Sequence, residues 1–385
     1  MSRTISAGPL AGVRVLELGG VGPGPFAGMM LADMGAEVIR VERASGLHDR
    51  FPVLHRGRRS IAVNLKNPAG VETVRRIADG CDIVTEGFRP GVAEHLDLGP
   101  EELLARNPRL VYGRMTGWGQ DGPLASTPGH DINYLSLTGG LHAIGPKGGD
   151  PVPPLNLVSD FGGGGMLLIY GILCALVRAK ETGEGQVVDA SMVDGTALLM
   201  AMTYGFLGQG AWHEERASNR LDGGAPYYRT YRCADDGHMA VGCVEPQFFA
   251  EMLRTLGLHD DASFTDQNDR NLWPAQHEKL EKVFATRTRD EWAEIFESTE
   301  ACTTPVLTMS EAARHPHNVA RKTFDVSQEG RIQPMPAPRF SGTPTALPKS
   351  PTMSGTETRE VLAAAGLSGE EITALRSEGA VSWLD

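Results

Sequence analysis

Over residues 1–120, short β-rich runs alternate with stretches whose apolar positions recur at helical spacing, the pattern of a parallel sheet covered by helices. The run RVLEL at Arg14–Leu18 predicts a strand, residues 26–34 a helix, and EVIRV at 37–41 the next strand, together a βαβ unit. Asn67 and Pro68 then supply a cap and a first-turn proline for a helix over 71–78, and strands resume at 81–84 and 110–112. The expected architecture is a doubly wound α/β sheet. After Asp160 and Phe161, four glycines (Gly162 to Gly165) lead into an apolar helix over 166–177, expected to be buried on both sides. From about Leu221 the texture changes to short alternating runs, such as HMAVGCV at 238–244, and to amphipathic helices over 246–256 and 290–296. This predicts a separate α+β domain. Six prolines from Pro334 to Pro351 predict an extended connection, after which helical patterns return at 357–365 and 370–375.

At 385 residues, 41% hydrophobic and 22% charged, the chain has the composition of a globular protein and length for two or three compact units. A formal charge of -12 disfavours nucleic acid as a partner, because backbone binding needs a dense positive face. Five widely spaced cysteines without a CxxC pair point to a reducing, cytoplasmic setting and away from zinc. The first ten residues show no basic-then-apolar leader. The longest apolar run, 166–177, falls short of the roughly 20 residues that span a bilayer, so no membrane partner is expected.

Three clusters carry candidate chemistry. Gly22-Pro23-Gly24-Pro25-Phe26-Ala27 satisfies the GxGxxA spacing of a dinucleotide loop, but such a loop works by aiming backbone N–H groups at a pyrophosphate. Pro23 and Pro25 have none, so a tight turn allowing close approach is the better reading. Arg40, Arg43, His55, Arg56, Arg58, Arg59, Lys66 and Arg89 gather near the predicted strand ends. They could converge on a polyphosphate or be spent in ion pairs with the surplus carboxylates. His130, in GHDINY at 129–134, and Asp160, thirty residues later, lie in uncharged, glycine-flanked surroundings, which suits either structural hydrogen bonding or acid/base work. GxSxG, GxxxxGK[ST] and HExxH are all missing from the sequence, which argues against a serine nucleophile, a phosphate loop and a metal site.

Taken together, the motifs resemble the family III coenzyme A transferases, the CaiB/BaiF-like proteins, over nearly the whole chain. The resemblance runs through LAGVRVLELGGVGPGPFAGMMLADMGAEVIRVER, NLKNPAG, EGFRPGV, RMTGWGQDGP, PPLNLVSDFGGGGM, VGCVEPQF and CTTPVL, and GHDINY and LDGGAPYY point to the racemase branch. It implies a Rossmann-like large domain over 1–200, a linker over 201–225, a smaller α+β domain over 226–320, and a return segment over 321–385 that completes the large domain. Two chains are expected to thread into an interlocked homodimer. The implied activity is inversion of the α-carbon of a 2-methylacyl-CoA thioester, with no cofactor beyond the coenzyme A of the substrate. The alternatives are coenzyme A transfer to a carboxylate through Asp160 as nucleophile, and acyl-CoA binding without catalysis. His130 and Asp160 are the implied acid/base pair, with Glu245 of the other subunit supporting His130. Implied coenzyme contacts are Arg43, Val63, Asn64, Leu65, Lys66, Gly87, Phe88, Arg89, Gly129, Asp131, Ile132, Asn133 and Tyr134. His95 replaces an arginine usual at its position, exchanging a permanent charge for one that titrates near neutrality. The glycines after Asp160 are the expected donors to an enolate oxygen.

Overall fold

The structure, a computed structural model, describes residues 8–43, 52–345 and 349–383. The start of the chain, read above for a leader, and Pro348 lie outside them. The chain divides into two compact units. The first comprises Met1–Thr138, Leu155–Met200 and Ser327–Asp385, and the second Gly139–Pro154 and Ala201–Val326.

In the first unit β1 (Arg14–Leu18), β2 (Glu37–Glu42), β3 (Arg59–Val63), β4 (Ile83–Glu86), β5 (Val111–Thr116), β6 (Gln186–Ser191) and a short strand at Val381–Ser382 form one sheet. Its order is Val381–Ser382, β3, β2, β1, β4, β5, β6, with only the terminal strand antiparallel. The strand order reverses between β1 and β4, which makes the carboxyl ends of these two strands the place where such sheets open a ligand crevice. Val15, Leu16, Ile39, Ile61, Ile83 and Val84 are almost fully buried, as expected of strands covered on both faces. Two strands escape the periodicity: β3 opens on Arg59, inside a run of arginines, and β6 is a largely exposed edge strand.

Helix α1 (Pro23–Asp33) begins three residues earlier than the apolar pattern predicts, because Pro23 and Pro25 are preset for a first turn. Helix α2 (Pro68–Ala78) has the expected cap, the Asn67 side chain accepting from Ala69 N at 3.0 Å. Next come α3 (Asp131–Leu137), a ten-residue π-helix (Leu157–Met166), α4 (Leu167–Thr182) and α5 (Met192–Leu199).

The expectation that the apolar helix is buried on both sides is corrected. Leu168, Ile172 and Leu176 of α4 enter the core with β5, but Tyr170 and Val177 are 67% and 59% exposed, so the helix has one open apolar face in the single chain. The helical stretch is also longer than the apolar run suggests. Leu157–Thr182 has 26 residues and a mean hydropathy of 1.7, long and apolar enough to cross a membrane by length and composition, with its inner face packed on the sheet.

In the second unit β7 (Tyr228–Arg232), β8 (His238–Gly242) and β9 (Thr303–Pro305) make an antiparallel sheet. Helices α6 (Pro246–Thr255), α7 (Trp273–Phe284) and α8 (Arg289–Phe296) contribute to an aromatic core in which Tyr231 stacks on Phe284 at 5.0 Å.

Candidate active site

The cationic cluster read from the sequence splits in two. Arg56 grips Asp33 through two bonds of 3.0 and 2.6 Å and the Pro334 carbonyl at 2.6 Å. Arg58 pairs with Glu17 with both side chains buried, Arg40 with Glu42, and Arg59 with Glu37 and Glu360. These arginines are spent on the fold. Among the described residues Arg43, Lys66 and Arg89 form no ion pair, and they follow the carboxyl ends of β2, β3 and β4 respectively. Arg43 and Arg89 are exposed, as are Lys66, Asn64 and His95, with Leu65 half-buried. Val63, Asp131 and Tyr134 are the implied coenzyme contacts that are buried; the Val63 side chain is sealed in the sheet core, and the residue pairs with Val381 in the ladder.

The loops after β1 and β4 meet at the switch point, where a Cβ on Gly87 would lie 3.3 Å from the Gly20 Cα. Glu86, buried at the end of β4, accepts from Phe88 N at 2.7 Å and from Arg114 Nε at 2.9 Å. Arg114 also bonds Glu94 at 2.7 Å, tying the loop of Gly87, Phe88 and Arg89 to the short helix that ends in His95. Sequence reading missed this network because Arg114 lies in a strand that shows only its apolar residues as a pattern.

His130 and Asp160 lie within electrostatic reach of each other, on elements that pack together. His130 is the exposed N-cap of α3, its backbone N–H donating to Asn133 Oδ1 at 3.0 Å. Asp160 sits half-buried in the first turn of the π-helix, a helix type that recurs at functional sites. Asp131, next to His130, is buried and turned inward. Its Oδ2 accepts from both Ser159 N and Asp160 N at 2.8 Å, so one carboxylate fastens the turn that carries Asp160 to the turn that carries His130. Asn156 Nδ2 donates to Asp160 Oδ2 at 3.3 Å. The i, i+4 spacing of that pair is a helical signal, hidden by the glycines and prolines around it. Burial pushes the Asp160 carboxyl above the usual carboxylate range, Asp131 adds to the rise, and Asn156 and His130 oppose it. Tyr134, packed edge-on against Trp118 at 4.8 Å, has its phenol pushed up by burial and then by the charge of Asp160.

Three of the four glycines are packing positions. Gly163, Gly164 and Gly165 are buried, and Cβ atoms on them would lie 2.6 Å from Thr196 N, 2.9 Å from Met192 Cγ and 2.7 Å from the Phe26 ring. Their missing side chains let the π-helix settle between α1 and α5. The turn at Gly22 does allow close approach, since a Cβ there would lie 3.4 Å from Asp160 Oδ2.

Glu245 lies in the second unit. It is the exposed N-cap of α6 with no side-chain capping bond, and its charge helps to push the Cys302 thiol up, after burial. Among the described residues no group of three or more His, Cys, Asp or Glu is placed to hold a metal ion.

The sequence pattern of CoA-transferase family III matches residues 10–358. The chain belongs to this family. It is 48% identical to the α-methylacyl-CoA racemase of Mus musculus and 46% identical to that of Homo sapiens, in each case over 96% of both chains. A solved CaiB/BaiF family protein from Brucella suis shares the fold, with a TM-score of 0.80 at 24% identity, covering 94% of this chain and 100% of that one. The mostly parallel sheet expected from the sequence is thus the family's fold.

Proposed function

We propose that this family III protein is an α-methylacyl-CoA racemase that inverts the carbon α to a thioester without a cofactor. The reading is carried by the near-full-length identity to the two racemases, joined to the placement of His130 and Asp160 at one site. Inversion requires one group to remove a proton from one face of the α-carbon and another to deliver a proton to the opposite face of the planar enolate. His130 and Asp160 supply that pair. A carboxyl raised by burial is suited to both halves of the cycle, since it gains basicity as a carboxylate and remains a usable acid once protonated.

Coenzyme A is held as part of the substrate. Arg43, Lys66 and Arg89, which form no ion pair among the described residues and follow the carboxyl ends of β2, β3 and β4, are the groups that meet its phosphates, with the loop at Gly87, Phe88 and His95 beside them. The working unit is a homodimer in which the partner subunit's Glu245 supports His130. Support for that assembly comes from the open apolar face of α4 at Tyr170 and Val177 and from Leu198 and Leu199 of α5, 63% and 56% exposed.

The test is incubation of the purified protein with each enantiomer of a 2-methylacyl-CoA in heavy water. The expected result is deuterium entering the α-position together with interconversion of the enantiomers. An acyl adduct on Asp160, with transfer of coenzyme A to a free carboxylate and no α-exchange, overturns the racemase reading in favour of coenzyme A transfer.

A further inference from the structure

Asp131 has a role that neither the acid/base pair nor coenzyme contact accounts for. Its carboxylate is buried, 5% exposed, with no cation paired to it among the described residues. Oδ2 takes two backbone N–H groups at the open start of the π-helix, and Oδ1 is buried with no hydrogen-bond partner. A buried anion with an unspent oxygen is costly, and a neutral acceptor would fill the same two bonds more cheaply. We propose that Asp131 is a positioning residue for the reaction: it sets Asp160 against His130 through the first turn of the π-helix and places a second carboxylate beside it. This rests on the racemase reading for its catalytic consequence, while the clamp itself can be tested without activity.

The groups that face Asp160 are few. His130, Asp131 and Tyr134 come from α3 and its cap, and Asn156 from the π-helix. Of the other elements packed on the π-helix, α1 carries Asp33, engaged by Arg56, and α5 carries Asp194, bonded to Ser191; Tyr170, Cys174, Arg178, Lys180 and Glu181 of α4 are exposed, β5 carries Tyr112, bonded to the Leu98 carbonyl, and Arg114, bonded to Glu86 and Glu94, and Asp189 of β6 accepts from Gln120 N. Removing the charge of Asp131 therefore lowers the affinity of Asp160 for its proton without another anion to replace it.

Two variants separate clamp from charge. Asp131→Asn retains an oxygen for both N–H groups and loses the charge, whereas Asp131→Ala loses both. Hydrogen–deuterium exchange of the full-length protein, read by mass spectrometry over peptides spanning 157–166, is expected to accelerate at least tenfold in the alanine variant and to stay near wild type in the asparagine variant. In heavy water, the enantiomer whose α-exchange survives His130→Ala reports on Asp160. For that enantiomer the alanine variant is expected to lose about a hundredfold in exchange rate, the scale of a small misplacement of a reacting group. The asparagine variant should keep the exchange with the acidic limb of its pH profile moved to lower pH. Unchanged protection in the alanine variant overturns the clamp, and an unmoved acidic limb in a folded asparagine variant overturns the charge. A wild type that exchanges no α-hydrogen sinks the racemase reading instead, leaving the protection measurement to decide the clamp.

Discussion

Two corners of the first unit handle buried carboxylates in opposite ways. At the carboxyl end of α1, Asp33 meets the guanidinium of Arg56, and beneath the same helix Glu17 meets Arg58. At the amino end of α1, Asp131 and Asp160 lie close together with hydrogen bonds but no cation bonded to either among the described residues. The first arrangement neutralises charge and makes it structural, fastening the segment around Pro334 to the sheet. In the second, burial raises the proton affinity of Asp160 and the charge of Asp131, with no cation bonded to it, adds to the rise, the setting that the proposed proton exchange with carbon calls for. Burial alone therefore does not mark a functional carboxylate in this molecule. What separates the two is the missing counter-ion.

The comparison can be broken most decisively by kinetics. His130→Ala and Asp160→Asn are each expected to lower inversion by about 10²–10⁴-fold, the usual contribution of a general acid or base. Racemisation by chiral chromatography checks this, with circular dichroism to verify folding. Next in size is Arg58→Met. It leaves Glu17 buried without its partner and should cost about 3–5 kcal/mol in urea unfolding, with a large part recovered when Glu17→Gln is added. A loss below about 1 kcal/mol in the single variant would mean that the two corners do not differ as described.

Arg89→Ala should raise KM for the acyl-CoA by about tenfold to a hundredfold with kcat little changed, as expected for loss of a charged hydrogen bond to phosphate. The penalty should shrink as salt rises. The smallest effect sharpens the contrast. Because the folded state raises the pKa of Asp160, the favourable linkage is complete below the unfolded pKa and is lost as pH rises through the folded value. At pH 8 the ionised carboxylate thus works against folding, and Asp160→Asn should melt no lower than wild type, with any advantage vanishing toward pH 3. A clearly lower melting temperature at pH 8, read by calorimetry, would place Asp160 with the structural carboxylates.

Much of this protein was determined locally and could be read without a fold. The strands at Arg14–Leu18 and Glu37–Glu42, the Asn67–Pro68 helix start, and the amide N–H groups missing at Pro23 and Pro25 all rest on neighbours within a few residues. His130, Asp160 and Glu245 stood out through motifs, since a motif records chemistry even where it conceals geometry. Other properties were settled only by contacts between distant positions. Arg58 reaches Glu17 across 41 residues, Arg56 reaches Pro334 across 278, and Asp131 reaches Asp160 across 29, so no local pattern separates a spent arginine from a free one or an inward carboxylate from an outward one. The same holds for the glycines after Asp160. Their number was plain in the sequence, but whether a small residue exposes its N–H or admits a neighbouring helix depends on what packs against it, and that is decided in three dimensions.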